Sequence, residues 1–110
     1  MTRVRIDKSR LGRDIYITGH CANEGKPSAE ATLVCAALTA LAQTIAQNVF
    51  DSEDTGDTDI IDVTLKSGQA VISYVTDDDE LNTAVDGICK GFDMLEESYP
   101  EYVSCYRNEG

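Results

Sequence analysis

Apolar and polar positions alternate in two short stretches near the start of the chain. Thr2 to Asp7 sets Val4 and Ile6 on one face, and Asp14 to Gly19 does the same with Ile15 and Ile17. This period of two marks strands with one buried side. Lys8 to Arg13, which contains Gly12, reads as the hairpin connection between them. Cys21 to Ala31 holds Asn23, Gly25, Pro27 and Ser28 and reads as a loop. From about Ala29 to Phe50 the period becomes helical, with Val34, Leu38, Leu41, Ile45 and Val49 on one stripe. Cys35, Thr39, Ala42 and Ala46 form a second stripe of small side chains, about 100° round the helix. Asp51 to Asp59 is acidic and reads as a solvated loop. Ile60 to Lys66 and Gln69 to Thr76 are two further strands, joined by a two-residue Ser67-Gly68 turn. Asp77-Asp78-Asp79-Glu80 opens a second helix, with Asp77 and Glu80 spaced as a capping box. Leu81, Ala84, Val85, Ile88, Phe92 and Leu95 form its apolar stripe, Pro100 marks its end, and Tyr102 to Tyr106 is a last short strand.

The predicted order is β-β-α-β-β-α-β. Tight hairpins predict a mainly antiparallel sheet, and two one-sided helices predict that both pack on one sheet face, an α+β fold. Residues 1–110 read as a single domain, long enough for a modest core.

Charge narrows the partners. Nine Lys and Arg against twenty Asp and Glu give a net charge of −11, which disfavours nucleic acid and anionic membranes and favours basic partners. Acidic surfaces also keep small proteins soluble, the commoner reason for such a balance. Five of the nine basic residues, Arg3, Arg5, Lys8, Arg10 and Arg13, crowd the first hairpin. They read as strand-edge protection on a solvent face. No stretch reads as long and apolar enough to span a bilayer, because Glu30, Gln43, Gln47 and Asn48 interrupt the longest apolar region, and no signal-peptide core is evident. The expected location is cytoplasmic, with Cys21, Cys35, Cys89 and Cys105 as free thiols. No C-x-x-C occurs and there is one histidine, so no metal or other cofactor is expected.

That histidine, His20, ends a strand-like run, and Cys35 opens the apolar run Leu33-Val34-Cys35-Ala36-Ala37-Leu38-Thr39. An imidazole on a strand end and a thiol near a helix start are the minimum parts of a cysteine nucleophile. A buried thiol that merely packs is the commoner use of cysteine. The wording around the pair favours chemistry. Gly19-His20, a glycine-containing loop, and then an apolar-Val-Cys-Ala segment with a hydroxyl residue, Thr39, one turn on resemble the ribosomal-processing cysteine protease family, Prp. The resemblance implies that His20 is the base and Cys35 the nucleophile of a protease. That protease would remove a short N-terminal extension from a large-subunit ribosomal protein precursor. It also implies a homodimer. Gly19, Gly25, Ala36 and Thr39 are the candidates for the substrate-binding or oxyanion region, and the Cys21–Ala31 loop for a cover over the substrate. Thr32 stands where family members carry an acid, Cys21 follows Gly-His where alanine is usual, and the loop is a few residues longer. Glu24 and Glu30 are the candidates for a third, orienting group. The rival readings are a non-catalytic acidic module that binds a basic ribosomal or phage protein, and a thiol redox protein using Cys21 and Cys35.

Overall fold

The computed structural model describes residues 1–20 and 28–109. Its elements are β1 (Thr2–Lys8), β2 (Gly12–Thr18), α1 (Ala29–Asp54), β3 (Thr58–Lys66), β4 (Gln69–Thr76), α2 (Asp79–Ser98) and β5 (Val103–Asn108). The strands form one sheet in the order β3-β4-β2-β1-β5. All neighbours are antiparallel except β1 and β5, which run parallel. The β-β-α-β-β-α-β order and the mainly antiparallel α+β sheet are thus as the sequence predicts.

The connections explain why both helices share a face. α1 carries the chain from β2 to β3, and α2 from β4 to β5. Each is therefore a crossover between parallel strands. β2 and β4 run in opposite directions, and their crossovers leave in opposite senses across the sheet. Right-handed crossovers then put both helices on the same side. The core lies between: Val4, Ile6, Ile15, Ile17, Ile72 and Val103 from the sheet meet Val34, Leu38, Ile45 and Val49 of α1 and Leu81, Val85, Cys89 and Phe92 of α2. Ala42 and Ala46, of the small-residue stripe, are buried too.

Five readings change. α1 does not stop at Phe50 but runs through the acidic segment to Asp54. The reason is Ser52, buried on the helix's inner side, whose hydroxyl hydrogen-bonds Thr58 at 2.6 Å and Asp78 at 3.3 Å. The cap of α2 is Asp78, not Asp77, its carboxylate accepting from the Glu80 and Leu81 N–H groups. Ala84 is exposed, and Cys89 takes a core position instead. The first two strands are interior, not edges, so their basic residues protect no edge. Arg13 is buried and forks onto both Asp86 oxygens at 2.8 and 3.0 Å, while Lys8 reaches the same carboxylate at 3.2 Å. Finally, α1 is apolar and long enough, by composition alone, to cross a membrane, with a mean hydropathy of 1.5. About a third of that stretch is buried, in the stripe against the sheet.

Candidate active site

β2 ends at Thr18, and the chain turns at Gly19 with φ 98°. A side chain there would run into the Met1 carbonyl, and L-residues rarely adopt this φ. The Gly19 N–H donates to the Gly68 carbonyl at 3.0 Å. The end of β2 is thereby tied to the β3–β4 turn, and the next residue, His20, lays its imidazole against Gly68. Gly68 has φ 76°.

α1 approaches the same corner. Ser28 caps it, its hydroxyl accepting from the Ala31 N–H at 3.0 Å. Cys35 is half-buried, and it and His20 line one cleft of about 320 Å³. The floor is apolar, made by Ile17, Leu38, Ala42 and Ala70. Gln43, Lys66 and Gln69 supply polar rims. Such a cleft can seat an apolar side chain while the rims hydrogen-bond an extended backbone.

The thiol does not sit at the helix start. Cys35 is six residues after Ala29, in the second turn. The N–H groups of Cys35 and Ala36 therefore belong to the helix's own ladder, and the field of the helix terminus has largely decayed there. Ala36 is exposed and is not part of the cleft wall, whereas Gly19 and Thr39 are. The Thr39 hydroxyl donates to the Cys35 carbonyl at 2.9 Å, so its proton is already engaged, although its oxygen can still accept. Gly25, Cys21 and Glu24 lie outside the described residues, as does most of the expected covering loop. Glu30 is exposed in the first turn of α1, and Thr32 is exposed one turn before Cys35. Among the described residues no carboxylate pairs with His20.

The other described thiols are of a different kind. Burial pushes the Cys89 thiol up to about 11. Burial, aided by Glu96, pushes Cys105 up to about 12. Both are held protonated, as packing residues. Among the described residues no group of three or more His, Cys, Asp and Glu is placed to hold a metal ion.

Sequence reasoning missed the hairpin side of the cleft, Leu65 to Ala70. The Ser67-Gly68 turn is legible locally, but its place beside His20 depends on β4 pairing with β2, which no local pattern reports.

The two-layer α+β fold thus sets the chain's one histidine and a half-buried cysteine along one cleft. The comparisons place the chain in a class. The family model for Cysteine protease Prp matches residues 1–104, and the chain belongs to that family. Among solved structures, SMU.848 from Streptococcus mutans superposes with a TM-score of 0.73 at 18% identity, covering 100% of this chain and 99% of that one. The essential ribosomal processing protease Prp from S. aureus, in complex with a covalently linked product peptide, gives 0.64 at 20% identity, over 98% of this chain and 100% of that one. The same S. aureus protease with a substrate peptide gives 0.63 at 16% identity, over 98% and 100%. These likenesses show the shared fold. Among curated proteins none matches the chain.

Proposed function

We propose that this chain is an active cysteine endopeptidase that removes a short N-terminal extension from a large-subunit ribosomal protein, using Cys35 and His20. The observation that carries the proposal is that the chain's one histidine and Cys35 line a single cleft, within a chain of the Prp family. His20 takes the thiol proton, and the Cys35 sulfur attacks the scissile carbonyl. His20 then gives the proton to the leaving amine, and a thioester to Cys35 remains. Water, deprotonated by His20, hydrolyses the thioester and restores the thiol. The net charge of −11 favours a basic partner, and ribosomal proteins are basic. The proposal places the reaction in the reducing cytoplasm.

The test is incubation with the precursor of the host's large-subunit ribosomal protein, read by mass spectrometry for a shortened N-terminus. Wild type cuts once near the N-terminus, and Cys35→Ala slows cutting about 10⁴-fold or more. Tight binding of the precursor without cleavage by wild type would establish the acidic binding module instead.

We also propose that the protein is a homodimer formed through the open sheet face. Cross-strand register sorts that face into rows. Arg3 and Lys66 lie in a first row, Arg5, Tyr16, Val71 and Tyr106 in a second, and Asp7, Asp14 and Asp62 in a third. A second copy turned by a two-fold axis along the middle row sets the Arg3–Lys66 row over the aspartate row, and Arg5, which then faces its own counterpart, is offset by Asp7 at 3.1 Å. Tyr16 and Tyr106 are exposed there at 36% and 59%.

A further inference from the structure

We infer that Gly68, at the tip of the β3–β4 hairpin, is a positioning residue for His20: the missing side chain is the seat on which the imidazole rests. The inference rests on the Cys35–His20 reading for its link to turnover, but the seat itself is a matter of geometry. A Cβ at residue 68 would lie 2.7 Å from His20 Nε2 and 2.8 Å from Cε1. Both are closer than side-chain atoms tolerate. The obstructed atoms are the two at the working end of the ring. The Gly19 N–H, one residue before His20, is bonded to the Gly68 carbonyl at 3.0 Å. The hairpin thus fixes the histidine's backbone and ring through the same residue. Contact with the turn takes the orienting role that an asparagine side chain plays in papain-like cysteine proteases. Any side chain at 68 must push the imidazole away or displace the turn.

Gly68 also has φ 76°, which alone would favour glycine in a hairpin. The test must separate the turn from the seat. Asparagine accepts positive φ but brings a Cβ, so Gly68→Asn keeps the turn and fills the seat. His20 is the one histidine in the chain, so its ring gives a single set of NMR signals that report its environment directly. In Gly68→Asn those signals shift, while thermal unfolding stays near wild type. kcat falls about 10²-fold, the scale of an ångström's misplacement, with KM little changed. A folded Gly68→Asn protein with unaltered His20 signals and full kcat overturns the inference. If Gly68→Asn does not fold, the His20→Ala/Gly68→Asn double variant decides. Recovery of folding assigns the defect to overlap with the ring, and failure assigns it to the turn and overturns the inference. If His20→Ala retains full turnover, the dyad reading fails. The NMR shift in Gly68→Asn then still reports on the seat.

Discussion

At the scale of single residues, the chain separates one thiol from the others by its surroundings. Cys89 and Cys105 are held protonated by burial, at about 11 and about 12. Their folded values lie above those of the unfolded thiols. The stability each gives is therefore complete below the unfolded value of about 8.5 and declines as pH rises past it. Neither should react with iodoacetamide at neutral pH until the protein unfolds, as peptide mapping by mass spectrometry will show. Thr32 is the residue-scale departure with the clearest consequence. It is exposed one turn before Cys35, where the family resemblance implies an acid. Thr32 is not part of the cleft wall; a carboxylate at 32 stabilises an imidazolium only if it reaches the ring, and a hydroxyl carries no charge to do so. Thr32→Asp should raise kcat severalfold on a family-type peptide, with unchanged unfolding temperature. If Glu24 or Glu30 already supplies the charge, Thr32→Asp does nothing and Glu24→Gln or Glu30→Gln lowers kcat.

At the scale of elements, Asp86 of α2 ties down the β1–β2 hairpin by pairing with Arg13 and with Lys8. Arg13 forks onto Asp86 and also donates to the Ser9 and Gly12 carbonyls at 2.9 and 2.7 Å. The hydrogen bond from Arg13 holds the Asp86 carboxyl below its ordinary value. The stability this gives is complete above the unfolded carboxylate value of about 3.9 and is lost as pH falls through the depressed one. Asp86→Asn should therefore lower unfolding free energy by about 2 kcal/mol at pH 7, a difference that shrinks in acid; a constant difference across pH would rule out the ion pair as its cause. This pair also marks where the sequence stopped being legible. Element order and type, the helix stripe from Val34 to Val49 and both hairpins follow from local periodicity. Arg13 does not, because its partner is 73 residues away and only the fold makes a buried arginine affordable. The acidic end of α1 is similar: its composition suggests a loop, but Ser52 bonds to Thr58, and Thr58 in turn to Thr76 at 2.8 Å, and these hold it helical. In the site, His20, Cys35, Gly19 and Thr39 are legible because a motif names them. Gly68 is not, because strand order alone brings it to the imidazole.

At the scale of the whole molecule, the sheet has one face buried under two helices and one open. The open face is amphoteric, with Arg3 and Lys66 at one end and Asp7, Asp14 and Asp62 at the other. If this face pairs with a second copy, Arg3→Glu places like charges opposite each other and Tyr16→Asp buries a charge at the two-fold axis. Either should convert a dimer to a monomer in light scattering at micromolar concentration, and salt should weaken the wild-type dimer. A wild-type monomer, or a dimer indifferent to both changes, would move the interface elsewhere.

The central claim is that Cys35 is a nucleophile activated by His20. Its most direct test is the rate of Cys35 alkylation by iodoacetamide at pH 6, mapped by mass spectrometry in wild type and His20→Ala. The account predicts that Cys35 is modified first among the cysteines, about tenfold or more faster than a free thiol, and that His20→Ala removes this advantage. Alkylation of Cys35 at the rate of a free thiol, equal in the two proteins, would contradict it.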